Sequence, residues 1–246
     1  MDFEHTSMPG SRFNDVDLGG TVFRDVNMTG VVMQGAYLVD VTINGGIENV
    51  VVNGVDIVPL VEAELNRRDP DRAKMKPSDP DGFREAWRIL DARWAATVAR
   101  ARTLDPELLH ESVGGEWSFI QTLRHLVHAT ELWVIRVLLG NPRPWHPLSL
   151  PFDQAEPHPE IPWDREARPS LDEVLALRED RKNIVAGVLA DLTPERLAAQ
   201  TTPVEGPGYP PARAYPVKGC LLTVLSEEWE HRLYAERDLE VLIARS

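Results

Sequence analysis

The first part of the chain carries an apolar residue at every fifth position, a period that neither a helix nor a strand has. The series runs Phe3, Met8, Phe13, Leu18, Phe23, Met28, Met33, Leu38 and Ile43. A small or β-branched residue usually stands two positions before each of them, as Val16 stands before Leu18. Helices repeat every 3.6 residues and strands every 2. The pattern therefore predicts a coiled repeat built from five-residue units.

Units such as VDLGG, TVFRD and VNMTG resemble the pentapeptide-repeat family over residues 3–58. The resemblance implies a short right-handed quadrilateral β-helix for residues 1–58, with the central apolar side chain pointing inward. Gly, Asp and Asn would occupy the corners, where a positive φ is easier for them. Four sides make one coil, so 58 residues complete fewer than three coils. A cap or a dimerisation module is therefore favoured over DNA mimicry, which the family shows in some long members.

From Asp81 onward the apolar period becomes helical. Residues 59–80 begin with a helical pattern and end in Pro, Asp and Gly, which predicts a linker. Residues 81–246 predict an all-α four-helix bundle. The long helices are expected at 82–103, 118–139, 170–191 and 217–244, with short helical pieces at 104–110 and 193–199. The predicted fold class is thus α+β by segregation, a β-helix followed by a bundle.

One predicted connection is unusually long. Residues 141–170 contain eight prolines with Trp145, Phe152 and Trp163 between them. A connection of this length inside a compact domain is often a functional lid. A plain crossover, packed on the surface by its aromatic residues, explains the composition equally well, and both interpretations stay open.

Composition excludes several classes of protein. The formal charge of −13 disfavours binding to nucleic acid and to anionic membranes, since both need clustered Lys and Arg. No run approaches the ~20 apolar residues of a membrane span. The acidic N-terminus lacks the features of a secretory signal, and the single Cys220 excludes an internal disulfide framework. We expect a cytoplasmic protein.

Two polar residues interrupt the apolar stripe of the last helix. Glu227 and His231 follow Leu221 and Val224 on one face, four residues apart. A buried carboxylate without a partner is costly, and a metal would supply the opposite charge while taking both imidazole nitrogen and carboxylate oxygen. A Glu–His hydrogen bond at the helix surface is the simpler explanation of this pair alone.

The second helix adds histidines. His125 falls on a line with Thr122 and Ala129, closer to the core than the line that carries His128. A lone buried histidine is usually a hydrogen-bonded core residue. A histidine here together with Glu227 and His231 provides three ligands, the number that reactive metal sites use when they keep one position open. His128 is a further candidate, and if it closed the site as a fourth ligand a structural metal would be favoured.

The stretches GEWSFIQTLRHLVHATELW and GCLLTVLSEEWEHRLYAERDL resemble the DinB-like superfamily of four-helix bundles over residues 80–244, and its mycothiol-dependent maleylpyruvate isomerase branch in particular. The resemblance implies a divalent metal, zinc or nickel, held by His125, Glu227 and His231. It further implies a low-molecular-weight thiol such as mycothiol or bacillithiol as co-substrate, a small electrophile as substrate, S-transferase or isomerase chemistry, and a homodimer.

Arginine and cysteine side chains also lie on or near the helix that carries Glu227 and His231. Arg237 and Arg232 are candidates to bind a substrate carboxylate, although an Arg237–Asp238 salt bridge is the favoured interpretation of the former. Cys220 is expected to be a small core residue. The alternative to an enzyme is a bundle in which the metal is structural and the repeat segment serves assembly or partner binding.

Overall fold

The computed structural model describes residues 3, 6–24 and 26–245, and it divides the chain into two units. The first ends at Ile47 and the second begins at Glu48. Asp2, Glu4, His5 and Asp25 of the repeat segment lie outside the described residues.

The first unit turns at regular intervals of five residues. Its corners have positive φ at Gly10, Asp15, Gly20, Gly30, Gly35 and Asp40. Tight turns recur every ten residues, and each is closed by a hydrogen bond between residues three apart. These bonds run from Ser11 N to Met8 O, Thr21 N to Leu18 O and Val31 N to Met28 O. Gly and Asp therefore occupy corners that the repeat pattern predicts, because these residues adopt a positive φ at low cost.

The interior of the predicted β-helix does not form among the described residues. The central apolar side chains are exposed, from 40% for Met28 to 75% for Ile43. The strands of the described chain are β1 (Val51–Val52) and β2 (Val55–Asp56), which pair with each other as an antiparallel hairpin beyond the first unit. The inward orientation predicted for these side chains was wrong. A repeat unit buries its apolar face only by stacking on neighbouring coils, and fewer than three coils offer few such neighbours.

Residues 59–80, expected to be a linker, contain two ordered elements. Helix α1 spans Val58–Arg68, and a 3-10 helix follows at Pro70–Met75. Asp69 between them binds the guanidinium of Arg93 at 2.7 Å, and Arg72 of the 3-10 helix binds Glu62 of α1 at 2.6 Å. One ion pair joins the 3-10 helix to α1, and the other joins this segment to the following helix.

Four long helices form the second unit, as predicted. They are α2 (Pro80–Ala101), α3 (Phe119–Thr130), α4 (Leu171–Ala190) and α6 (Val217–Ile243), with α5 at Pro194–Leu197 and a 3-10 helix at Pro106–His110. Ser170 forms the predicted capping box with Glu173, and Ser118 forms one with Gln121. Such caps fix where a helix begins, because the serine oxygen accepts a hydrogen bond from an otherwise unpaired N–H.

The second predicted helix, at 118–139, is not uniform. After Thr130 it continues as a π-helix over Glu131–Leu138. Its wider turns pair the backbone N–H of Leu139 with Val134 O, five residues back. Helices of this kind are rare and often occur at functional sites.

The main helix pairings are α3 with α4, α2 with α6, α3 with α6 and α2 with α4. This order places α4 diagonally opposite α6. Their inward faces are filled by fully buried side chains such as Leu90, Leu123, Leu126, Leu221 and Leu239. The helices α3 and α6, which carry the candidate ligands, are therefore neighbours. Among the described residues no helix is both long and apolar enough to cross a bilayer.

The connection at 141–170 is packed against α3. The guanidinium of Arg124, 1% exposed, donates to the carbonyl oxygens of Leu148 at 2.8 Å and Ala167 at 2.6 Å. Leu150 N donates to Arg124 O at 3.2 Å, and the Leu150 side chain is buried. One buried arginine thus holds both ends of this connection on the bundle.

Candidate metal centre

The structure brings His125 of α3 together with Glu227 and His231 of α6. One ligand atom from each lies within 4.8 Å of the others. His125 is buried, while the side chains of Glu227 and His231 keep 29% and 18% of their surface exposed. The three residues therefore form a compact group that is closed towards the core and reachable from one side.

The tautomer of His125 is set by the long connection. Its Nδ1 lies 3.1 Å from the carbonyl oxygen of Leu150. A carbonyl only accepts hydrogen bonds, so Nδ1 carries the proton and Nε2 presents a lone pair. Backbone carbonyls hold metal-binding histidines in this way in many proteins.

His231 is oriented by its own helix. Its Nδ1 lies 3.0 Å from the backbone oxygen of Glu227, one turn earlier. The same logic assigns the proton to Nδ1 and leaves Nε2 without one. Burial lowers the pKa of His231, with a further contribution from the charge of His125. A neutral imidazole is the form that binds a metal.

The carboxylate of Glu227 has no arginine or lysine partner among the described residues. Its Oε2 lies 3.4 Å from His125 Nε2 and 3.3 Å from His231 Nδ1. This oxygen is buried and makes no properly directed hydrogen bond. Burial would raise the pKa of Glu227, but the two neighbouring histidines outweigh burial, so the pKa is lowered. The carboxyl group therefore favours its charged form.

These residues fit a divalent metal. One imidazole nitrogen from each histidine and one carboxylate oxygen converge within 4.8 Å, and the carboxylate oxygen is buried without a satisfactory partner. Imidazole with carboxylate suits zinc and other divalent first-row metals. Among residues 3, 6–24 and 26–245, the cluster contains three such groups, so the protein offers three candidate ligands.

His128 lies beside this group but not in it. Its ring centroid is 6.1 Å from that of His125, and it packs between Trp145 at 5.7 Å and Trp163 at 5.2 Å. Both ring nitrogens are buried and unpartnered, and burial lowers the pKa of His128 to about 3. The structure therefore keeps His128 as a neutral ring in an aromatic pocket.

The arginine candidates point elsewhere. Arg237 Nε donates to Asp238 at 2.7 Å, the salt bridge favoured from the sequence. Arg232 stacks on Trp229 with 5.4 Å between its guanidinium carbon and the ring centroid, and lies 3.8 Å from Glu236. Cys220 is a buried residue beside Val137 and Tyr215, and burial raises the pKa of its thiol to about 11.

Trp117 was not predicted as part of the site. Its ring centroid lies 4.4 Å from that of His125 and 6.0 Å from that of His231, so the indole covers both imidazoles. Its Nε1 donates to Asp153 of the long connection at 3.3 Å. Gly114 and Gly115, both with positive φ, precede it. The sequence signal was an aromatic residue directly before the cap of the ligand-bearing helix, but only the fold shows which side it covers.

Comparison with known protein families agrees with this arrangement. The model of the DinB superfamily matches residues 89–235, which include all three candidate ligands. Eight copies of the pentapeptide-repeat model match within residues 2–35 and 10–45. No curated protein and no solved structure matches the chain. Because the match spans more than half of the sequence and contains the ligand-bearing helices, the chain belongs to the DinB superfamily, with pentapeptide repeats at its N-terminus.

Proposed function

We propose that this protein binds one divalent metal, zinc or nickel, through His125, Glu227 and His231. We further propose that it acts in the cytoplasm as a thiol-dependent S-transferase or isomerase on a small electrophile. The observation that carries the proposal is a set of two histidines and one glutamate, with one possible ligand atom from each within 4.8 Å of the others and no fourth protein ligand in the cluster among the described residues. Three protein ligands leave a position for a reactant, whereas structural sites use four.

A divalent metal bound there would take a low-molecular-weight thiol, of the mycothiol or bacillithiol type, as the thiolate, which is the nucleophilic form. The chain supplies the rest. Glu227 contributes one negative charge. A divalent cation together with this carboxylate and two neutral imidazoles would have a net positive charge, which favours a thiolate. His125 and His231 are held in one tautomer by the oxygens of Leu150 and Glu227. The ligand orientation therefore exists before either reactant arrives.

Aromatic side chains line the exposed side of the cluster. Trp117 covers both imidazoles, and the ring of Tyr234 meets that of His231 edge-on at 5.9 Å. Tyr234 is 42% exposed. These surfaces favour an electrophile with an apolar or planar part, because aromatic faces bind such groups well and exclude water from a nascent bond.

The metal-binding part is tested by titrating the metal-free protein with Zn²⁺ and Ni²⁺ and counting bound ions per chain. We expect one ion in the wild type. His125→Ala, Glu227→Gln and His231→Ala should each weaken binding by about two orders of magnitude or more, since each removes one of three ligands. His110→Ala and Glu240→Gln are matched controls outside the cluster and should bind as the wild type does. Equal binding by all variants would reject the site.

The catalytic part is tested by following thiol consumption with a panel of activated alkenes, epoxides and halides. We expect turnover that requires the metal and is lost in Glu227→Gln. Trp117→Ala should raise KM more than it lowers kcat, because Trp117 covers the ligands without being one. A protein that binds metal but consumes no thiol with any member of the panel would lose the enzymatic assignment.

A second candidate function has its own observation. The apolar side chains of residues 8–43 are exposed, including Phe13 at 61% and Tyr37 at 93%. Exposed apolar surface of this extent favours assembly or partner binding. In this alternative the metal stabilises the bundle and the repeats mediate contacts, such as those of a homodimer. Sedimentation of the wild type against a Phe13→Ser/Phe23→Ser variant tests it, and loss of self-association in the variant would support it.

A further inference from the structure

Two arginines on α4, one buried and one partly buried, contact both of the elements that lead to the candidate ligands. Arg178 and Arg181 lie one turn apart on α4. Arg178 binds Glu228 on α6, and Arg181 binds Glu131 at the end of α3. The family match and the ligand set assign no role to either pair.

Arg178 reaches across the core. The Nη2 atom of Arg178 lies 2.9 Å and 3.2 Å from the two carboxylate oxygens of Glu228. Both side chains are about 5% exposed or less. The guanidinium also stacks on Trp94 of α2, at 5.1 Å from the ring centroid. The indole N–H of Trp94 donates to the backbone oxygen of Glu228 at 3.2 Å. Residue 228 is therefore held by its side chain and by its main chain at once.

Holding Glu228 also determines where Glu227 points. Neighbouring residues on a helix project about 100° apart. With Glu228 fixed towards α4 and α2, Glu227 is fixed towards α3, where His125 lies. His231 follows one turn later on the same side as Glu227. The contacts of Glu228 therefore help to fix the rotation of α6 about its axis, and with it the direction of both candidate ligands on this helix.

Arg181 acts on the other ligand helix. The Nη2 and Nε atoms of Arg181 lie 2.8 Å and 3.2 Å from Glu131 Oε1. The second oxygen of Glu131 accepts a hydrogen bond from His146 N at 3.3 Å, and His146 O accepts one from the Ser149 hydroxyl at 2.8 Å. Ser149 precedes Leu150, whose carbonyl fixes the ring of His125. Hydrogen bonds at both ends of the short segment 146–150 thus connect Arg181, through Glu131, to His125.

We propose that α4, which contributes none of the three ligands, sets the geometry of the metal site through these two pairs. Arg178 and Arg181 are then positioning residues, each acting through a glutamate on a ligand-bearing element. The inference rests on the proposed metal binding. Partners that orient ligands typically contribute one to two orders of magnitude to metal affinity.

The test replaces whole pairs, because removing one partner would leave a buried charge and destabilise the fold. Arg178→Met/Glu228→Gln and Arg181→Met/Glu131→Gln are compared with Arg72→Met/Glu62→Gln, a bidentate pair between α1 and the 3-10 helix. Three quantities are measured for each protein: Zn²⁺ affinity by chelator competition, the visible absorption spectrum of the Co²⁺ form, and urea unfolding without metal.

We expect Zn²⁺ affinity to fall by roughly 10- to 100-fold in both α4 double variants. The Co²⁺ spectrum should change as well, and one ion per chain should remain. The Arg72/Glu62 control should match the wild type in affinity and spectrum. A folded α4 double variant with wild-type affinity and spectrum would overturn the inference, because a merely structural pair moves only the unfolding curve.

Two arms keep the test decisive. If an α4 double variant fails to fold, Arg181→Met alone replaces it, because burial raises the pKa of Glu131 to about 7 and the carboxyl group can take up a proton when its arginine is gone. The same loss of affinity is expected, and wild-type binding would again overturn the proposal. A wild-type protein that binds no metal at all would instead reject the proposed function, so the two failures are distinguishable.

Discussion

Glu227 and Glu228 are neighbours in sequence and opposites in environment. Glu228 is almost fully buried and meets the guanidinium of Arg178 with both oxygens. Glu227 faces the other side of α6, towards two histidines, and has no arginine or lysine within ion-pair distance among the described residues. One carboxylate is satisfied by the protein itself, while the other is placed where only imidazoles surround it.

The difference separates a structural acid from a candidate metal ligand. A buried carboxylate must be neutralised, and the bundle neutralises Glu228 with Arg178 and Glu131 with Arg181. No arginine takes this position at Glu227 among the described residues. Two imidazole rings lie there instead, a combination that suits a cation arriving from solution.

The largest expected effect comes from breaking the satisfied pair. Glu228→Gln should lower the free energy of unfolding of the metal-free protein by about 3–5 kcal/mol, because Arg178 is left buried without its anion. Glu227→Gln should cost less than about 1 kcal/mol, since no cation loses its partner. Urea unfolding of both variants checks this. Equal losses would remove the distinction between the two acids.

Metal should stabilise the protein only through the Glu227 side. At a free Zn²⁺ concentration one hundred times Kd, the wild type should gain about 2.7 kcal/mol in unfolding free energy. Glu227→Gln should gain almost nothing at the same concentration. Thermal unfolding with and without a chelator measures both, and a similar rise in Tm for the two proteins would indicate binding elsewhere.

His128 is a third kind of buried polar group, because neither ring nitrogen has a hydrogen-bond partner. The pH dependence of protein stability tests this environment. Its pKa is about 3 in the folded protein, against 6.5 for a free histidine, because burial disfavours the charged ring. Its contribution to stability is therefore present above pH 6.5 and lost as the pH falls towards 3. Between pH 6.5 and pH 5 the loss from this residue should be about 2 kcal/mol. His128→Phe should show a shallower decline over that range, and an unchanged slope would contradict the assignment.

The smallest effect is expected for Arg237 and Asp238, an ion pair between neighbouring residues of α6. The Arg237 side chain is 50% exposed, whereas that of Asp238 is 10% exposed. Arg237→Met should change stability by about 1 kcal/mol, because solvent around the half-exposed guanidinium weakens the ion pair. If KM for an anionic electrophile rises sharply in this variant, Arg237 also binds substrate, and the pair is more than a surface salt bridge.

Much of the bundle could be predicted from residue patterns. The helical period and the Ser118 and Ser170 caps placed the long helices within about two residues of their observed ends, which is the usual uncertainty of such boundaries. The interruption of an apolar stripe by Glu227 and His231 pointed to one side of α6. These features could be predicted because they depend on the spacing of residues within a single helix.

The remainder depends on contacts between distant segments. No spacing relates Arg178 to Glu228 or Trp117 to His231, because these pairs meet only after the helices pack. The π-helix after Thr130 also has no signature in a single sequence. The repeat segment shows the reverse case. The five-residue pattern correctly predicted its corners. Burial of its apolar residues depends on how many coils stack on one another, and the five-residue pattern does not contain that information.

Trp117 gives the site an optical consequence. An indole whose centroid is 4.4 Å from one imidazole and 6.0 Å from the other lies close enough to sense an open-shell ion bound between them. Loading with Co²⁺ or Ni²⁺ should therefore quench part of the protein's intrinsic emission, while closed-shell Zn²⁺ should not. The native chromophore would then report occupancy in real time, without any label.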